Sequence, residues 1–381
     1  MFDFEFHNPT KIIFGRNKEN LIGQILAEAG ISKILFVYGK GSIKRSGLFE
    51  CITKSLEQHA IAAIKFGGVS SNPLLSHTRE GVCLAKNEDV DAVLAVGGGS
   101  VLDEAKAIAV GALGDTDVWN YFTGEEVSSA LPVYSVLTLA ATGSEMNGNA
   151  VVTNEETQQK YNISSPLVYP QVSILNPELT YSVPPDYTAY SAVDAIAHVI
   201  EAYFTRKSAP LLQDRLVENI IATVMETTEQ ILQTPDSYDA RAEFMWAATL
   251  ALNGITTVGV EEYSFPNHMI EHSLSAMYNI PHGAGLAIVI PAFMRWFHPK
   301  NPGQFKRFAT IIFGLDGAEA GIKALEQWFA RIQAPTRLKD VGIPAGDIEK
   351  IAGNAVGLAK LWGIDATYDQ SAIAEILKFA A

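Results

Sequence analysis

At 381 residues, the chain is longer than the size at which a single hydrophobic core stops growing, so two domains are expected. Hydrophobic residues at 48% and charged residues at 18% are ordinary for a globular protein with large cores and exclude extensive disorder. A formal net charge of −14 excludes nucleic acid as a main partner, because neutralising phosphates takes basic stripes and none of any length is present.

The chain opens on Met1-Phe2-Asp3-Phe4-Glu5-Phe6. Acid alternating with aromatic, and no basic stretch leading into an apolar one, predicts an edge strand rather than a signal peptide. Cys51 and Cys83 are the two cysteines. They are far apart and outside any Cys-x-x-Cys pattern, which points to a reducing cytoplasm. Apolar residues 284–294 contain a glycine and a proline and are too short to span a bilayer. A soluble protein with no membrane partner is expected.

Short β-branched runs follow in order. Strands are predicted at 33–38, 61–66, 91–96, 131–139 and 172–175, with helix-length segments between them. Near-continuous apolar strands separated by helices describe a parallel sheet covered on both faces. Right-handed crossovers then put a ligand at the carboxyl ends of the strands. The short run Lys40-Gly41-Ser42-Ile43-Lys44-Arg45 after the first of these strands reads either as a solvated turn or as a site for one small phosphate.

The texture changes at Val183-Pro184-Pro185-Asp186, where Asp186 is the predicted N-cap of a helix. Helical patterning continues over 186–205, 210–233, 239–258 and 265–277, and strand signals nearly vanish. The predicted organisation is an α/β N-terminal dinucleotide-binding domain with a parallel sheet, residues 1–185, and an all-α C-terminal domain, residues 186–381.

Two segments in the first half suit a dinucleotide. Gly97-Gly98-Gly99-Ser100 follows a buried strand and opens into a helix. Glycines admit a pyrophosphate close to the backbone, and the free N–H groups of a helix start attract its charge. Thr142-Gly143-Ser144-Glu145 follows another strand and offers hydroxyls to phosphate or ribose. Each segment alone could also be a tight turn or a helix cap.

In the second half, Asp194 and His198 are spaced i, i+4 among Ala, Val and Ile, so a helix brings both side chains to one face. His268 and His272 repeat that spacing, and His282 follows ten residues later. Four of the eight histidines thus gather in apolar company in the helical half. One carboxylate with three imidazoles is a sensible set of ligands for Fe(II) or Zn(II), with a position open for a substrate oxygen. Spacing alone leaves open which three imidazoles those are.

Together these motifs resemble the iron-containing (group III) alcohol dehydrogenases over essentially the whole chain. The carriers are Gly97-Gly98-Gly99-Ser100 with Asp103, Thr142-Gly143-Ser144-Glu145, Asp194-x-x-x-His198, His268-x-x-x-His272 and Pro281-His282-Gly283. Tyr38 to Lys44 and Met245-Trp246-Ala247-Ala248-Thr249 look like the butanol-dehydrogenase and aldehyde-reductase branch. The resemblance implies a dehydroquinate synthase-like fold and metal ligands Asp194, His198, His268 and His282, with His272 outside the ligand set as a catalytic residue near the nicotinamide. It implies dinucleotide contacts at Gly39, Ser42, Asn72, Gly98, Gly99, Ser100, Asp103, Thr138, Thr142, Lys160 and Leu179, and a homodimer acting on a small alcohol or aldehyde. The position where NAD-preferring relatives carry an acid looks like Gly39 here. Lys40, Ser42 and Lys44 follow it, so NADP(H) is expected over NAD(H). The competing readings are a metal- and NAD-dependent lyase of the dehydroquinate synthase type and a non-catalytic nucleotide-binding protein.

Overall fold

The computed structural model describes residues 1–208 and 210–381. The chain forms two compact units, His7–Val183 and Pro184–Ala381, with Met1–Phe6 belonging to the second.

The α/β unit is built on six parallel strands: β1 (Lys11–Phe14), β2 (Lys33–Gly39), β3 (Ala62–Val69), β4 (Ala92–Gly98), β5 (Val133–Leu139) and, after a hairpin of β6 (Asn149–Asn154) and β7 (Gln159–Ser164), β8 (Val172–Leu175). They lie in the order β1-β8-β5-β4-β2-β3. From β2 the chain steps outward to β3, then returns to the other side of β2 as β4, so the order reverses between β2 and β4. Ligands of doubly wound sheets sit at that reversal, beyond the carboxyl ends of the strands. Gly39 ends β2, and Gly98 ends β4. At both ends the register slips, between Tyr38 and Gly39 and between Gly97 and Gly98. The apolar runs that predict the strands are buried along β2 and β4 because helices cover the sheet.

Helix Gly99–Leu113 follows β4 with no intervening loop. A Cβ at Gly99 would stand 2.4 Å from Thr142 Oγ1, so only glycine lets this helix begin so close to the Thr142 segment.

The other unit contains helices and no strand among the described residues. Helix Pro185–Thr205 is buried on nearly every side from Ser191 to Phe204, and helix His282–Phe297 from Gly283 to Met294. Apolar residues all round a helix mark it as central, and these two form the middle of the unit. They approach at Gly283, where a Cβ would lie 2.1 Å from the Tyr190 carbonyl oxygen. Among the described residues no helix is long and apolar enough to cross a membrane.

Several expectations need correction. Met1–Phe6 forms no strand. Its backbone is held instead by the Phe2 N–H, which donates to the Gly259 carbonyl at 3.1 Å, and acids and aromatics alike stay exposed, so the alternation marks no buried face. Asp186 is not the N-cap: Pro184 holds that place with Pro185 at the first helical position, which suits its fixed φ, and Asp186 sits in the first turn where a carboxylate favours the helix dipole. The helix expected over 239–258 stops at Ala251, ahead of Gly254 with φ 93°. The short β1 and the β6–β7 hairpin carry no clear periodicity and were not anticipated.

Gly283→Ala tests the central crossing. The added methyl group meets backbone that cannot swing aside, and overpacking of this kind costs about 1–3 kcal/mol. The expected result is a lower unfolding midpoint by circular dichroism in urea, and an unchanged midpoint would contradict the crossing.

Candidate metal centre and dinucleotide turn

Helix Pro185–Thr205 carries Asp194, His198 and Glu201 at i, i+4 and i+7, one stripe of the helix. Helix Pro266–Tyr278 carries His268, Glu271 and His272, started by Pro266 and closed by Asn279 in the left-handed region. His282 is the first residue of the next helix. The structure brings three of these imidazoles around one oxygen. Asp194 Oδ1 lies 3.4 Å from His198 Nε2, 3.7 Å from His268 Nε2 and 3.6 Å from His282 Nε2.

These separations are long for hydrogen bonds. Asp194 Oδ1 and His268 Nε2 are buried with no hydrogen-bond partner among the described residues. Orphaned buried groups of this kind call for an explanation. Two ligands about 2.0–2.2 Å from a shared tetrahedral ion stand roughly 3.3–3.6 Å apart, so the donor set fits a divalent cation. Asp194, His268 and His282 form one trio with ligand atoms all within 4.8 Å of one another. His198 joins through Asp194, and its ring stacks on His268 with centroids 4.8 Å apart.

Two carboxylates that the sequence reading did not single out complete the arrangement. Glu201, fully buried, faces His268 Nδ1 at 2.5 Å and also accepts from the backbone N–H groups of Asn267 at 2.9 Å and His268 at 3.0 Å. Glu271, also fully buried, bonds His282 Nδ1 and accepts from the Ser275 hydroxyl. Each carboxylate fixes the ring and tautomer of one histidine and aims its Nε2 at Asp194. The available signal was positional: Glu201 lies at i+3 from His198, and Glu271 at i+3 from His268. Gly285 makes the room, since a Cβ there would stand 2.7 Å from Glu271 Oε1.

The electrostatics follow the same plan. Burial drives the Asp194 carboxyl upward, but His198, His282 and His268 outweigh it and hold the group at about 2. Burial pushes His198 down to about 4. It also opposes charge on His268, where Glu201 and Asp194 prevail and raise the ring to about 9. The pocket of carboxylates thus demands positive charge at its centre.

His272 is buried beside the cluster, its ring centroid 5.7 Å from His282 and 6.0 Å from Trp362. Glu271, His272 and His282 also fall within ligand distance of each other. In that trio Glu271 already bonds His282 Nδ1, so the Asp194-centred group is the better ion site.

In the α/β unit, most of the residues expected to meet a dinucleotide lie at or just beyond the carboxyl ends of the sheet strands. Gly39 ends β2 and Ser42 starts helix Ser42–Arg45. Gly98 and Gly99 join β4 to its helix, which carries Ser100 and Asp103. Thr138 is near the end of β5 and Thr142 just beyond it. Ser100 Oγ donates to the Ser71 carbonyl at 2.5 Å, joining this turn to the loop that holds Asn72. Lys160 on β7 donates to Asn72 Oδ1 at 3.2 Å across 88 residues of sequence. Leu179 lies in a 3-10 turn after β8, packed on the sheet core. Asp103 accepts from the Ser144 hydroxyl at 2.8 Å.

Comparison with known proteins agrees across the whole chain. Residues 9–177 match the family described as iron-containing alcohol dehydrogenase, and residues 188–381 match the C-terminal region of that family. Probable NADH-dependent butanol dehydrogenase 1 of Bacillus subtilis is 40% identical over 365 residues, covering 93% of this chain and 94% of that protein. The NADPH-dependent aldehyde reductase YqhD of Escherichia coli is 36% identical over 359 residues, covering 91% of each. The crystal structure of NADH-dependent butanol dehydrogenase A from Thermotoga maritima superposes with a TM-score of 0.98 at 48% identity, covering 100% of this chain and 99% of that one. Nothing in these likenesses favours the lyase reading. The chain belongs to the iron-containing alcohol dehydrogenase family, and it is an alcohol dehydrogenase.

Proposed function

We propose that this enzyme moves hydride between NADP(H) and a primary alcohol or its aldehyde, with Fe(II) or Zn(II) held by Asp194, His198, His268 and His282. The observation that carries the metal reading is the orphaned Asp194 oxygen with three imidazole nitrogens around it. A cation so held supplies Lewis-acid polarisation of a substrate oxygen, and the nicotinamide supplies or accepts the hydride. Asp194 contributes the one negative ligand, so a divalent ion keeps net positive charge to offer the substrate. Glu201 and Glu271 hold His268 and His282 in register, so the ligand rings need no reorganisation during turnover. His272, outside the ligand set, carries the alcohol proton toward solvent.

For the dinucleotide, Gly98, Gly99 and Ser100 offer backbone N–H donors to the pyrophosphate, flanked by Asp103, Thr138 and Thr142. Asn72, Lys160 and Leu179 contribute further contacts. Gly39 and Ser42 lie where the adenosine ribose is expected. The preference for NADP(H) rests on the lack of a carboxylate at Gly39 and on the cations of Lys40 and Lys44 close by. Relatives are named for either cofactor, so direct measurement decides.

The enzyme is further proposed to be a cytoplasmic homodimer. Cys51 and Cys83 are free thiols, which suits a reducing compartment. Phe2, Phe4 and Phe6 are 44%, 55% and 43% exposed in an extended segment without strand partners, a surface that a second copy would cover.

Two variants test this reading. His268→Ala should abolish metal retention after dialysis and abolish turnover, with dinucleotide affinity unchanged. Glu271→Gln should keep the fold but weaken metal affinity about 10–100-fold, read by chelator competition. A metal-free His268→Ala protein with full activity would sink the scheme.

On cofactor choice, kcat/KM should favour NADPH in the native enzyme. A Cβ at Gly39 meets nothing nearer than 3.7 Å, so Gly39→Asp fits, and it should shift the ratio toward NADH by about tenfold or more. Native preference for NADH would overturn the NADP(H) assignment alone. Light scattering of the full chain should give a dimer mass, and removing residues 1–6 should weaken the association. A monomer at micromolar concentration would contradict the dimer.

A further inference from the structure

Helix Gly99–Leu113 contains a lysine with no solvent exposure, Lys106. Five acceptors surround its ammonium: the Ser144 carbonyl at 2.7 Å, Ser144 Oγ at 2.9 Å, the Asn147 carbonyl at 2.8 Å, Asn147 Oδ1 at 3.2 Å and the Asn149 carbonyl at 2.8 Å. A buried ammonium is costly unless bonded, and here its three N–H groups have more acceptors than they need. All five come from one segment, which begins two residues beyond Thr142 and ends on the first residue of β6.

Ser144 turns this clamp into a relay. Its oxygen accepts from Lys106, so its own hydrogen is directed elsewhere, and it donates to Asp103 Oδ1 at 2.8 Å. The segment is also held from the sheet, where Ser135 Oγ donates to Ser173 Oγ at 2.7 Å and Ser173 Oγ donates to the Glu145 carbonyl at 2.6 Å. Thr142 Oγ1 accepts from the Ser144 N–H at 3.2 Å. The clamp therefore fixes the Thr142 hydroxyl, beside Gly99, and the Asp103 carboxylate together.

We propose that Lys106 is a positioning residue for dinucleotide binding, setting the Asp103 carboxylate through Ser144 and the Thr142 segment through the Ser144, Asn147 and Asn149 carbonyls. This rests on the reading above that Asp103 and Thr142 meet the dinucleotide. The charged groups facing Asp103 are Lys106 on its own helix and Lys160 on β7, with the Val151 N–H also donating to it, while Glu145 faces Lys106. Burial raises Asp103 to about 6, and Lys106 and Ser144 keep it from rising further. Burial lowers Lys106 to about 8, with Asp103 and Glu145 opposing. Loss of either Lys106 or Ser144 thus moves the Asp103 titration upward.

The test is NADPH binding by fluorescence titration of the full-length, metal-loaded protein at pH values on both sides of about 6. Ser144→Ala leaves the lysine's carbonyl bonds in place and removes only the relay. It should retain the native melting temperature and metal content, weaken NADPH about tenfold, as loss of a hydrogen bond to a charged group does, and move the pH inflection of affinity upward. Lys106→Met should show a larger loss and a larger shift. Should Lys106→Met fail to fold, Ser144→Ala decides. A folded Ser144→Ala protein with native affinity and an unmoved inflection overturns the proposal. Failure of the native enzyme to bind any dinucleotide instead overturns the cofactor reading and takes this inference with it, so the two failures are distinct.

Discussion

The Asp194 carboxylate, buried at the middle of the helical unit, is the constraint on which that unit depends. An ionised carboxylate taken out of water costs several kcal/mol unless charge is returned to it. Three imidazole nitrogens stand 3.4–3.7 Å away, and among them His268, raised to about 9, returns charge to it. Those rings are themselves polar and buried, so two need anchors, and Glu201 and Glu271 supply them. Glu271 needs space, which Gly285 leaves, and His282 needs its helix close to the Asp194 helix, which Gly283 permits. The requirement passes from one carboxylate out to glycines whose presence local propensity would not explain.

The α/β unit contains the opposite case. Its buried charge is the Lys106 ammonium, and the compensation comes almost entirely from main-chain and side-chain oxygens of one segment. Carbonyl dipoles do not diffuse or ionise, so the arrangement they impose is rigid over the pH range in which the lysine stays charged. Both units thus bury a costly charge whose partners must keep a fixed arrangement.

How much of this was legible in the sequence depended on range. Asp194 with His198, and His268 with His272, are pairs one turn apart, and helical geometry alone reveals them. The strands of the sheet show as apolar runs because both faces are covered, and Val172–Leu175 was placed to the residue. What escaped was set by partners distant in sequence: Glu201 meets His268 across 67 residues, and Lys106 meets Ser144 across 38. A lysine or glutamate within an apolar helix is equally compatible with a solvated edge until its acceptor is known. The four-residue β1 gave too few positions for a period. At Met1–Phe6 the alternation misleads, because acids and aromatics are both exposed and no strand forms.

The pairing of His268 with His272 shows why helical spacing cannot assign ligands by itself. Residues at i and i+4 share a face but sit one turn, about 5.4 Å, apart along the axis. A single oxygen can be approached at ligand distance by one of them while the other projects a turn further on. His268 takes the near place because Glu201, on the Asp194 helix, pins both its ring and its backbone N–H. His272 is left with its ring against His282 and Trp362. The remaining place beside Asp194 falls to His282, which comes to it from a new helix start rather than from the same helix. That division gives the proposed chemistry three kinds of imidazole in one site: His268 and His282, whose second nitrogen is locked by a carboxylate and suits ligation, His198, held by its stack on His268, and His272 a turn away, proposed to handle a proton.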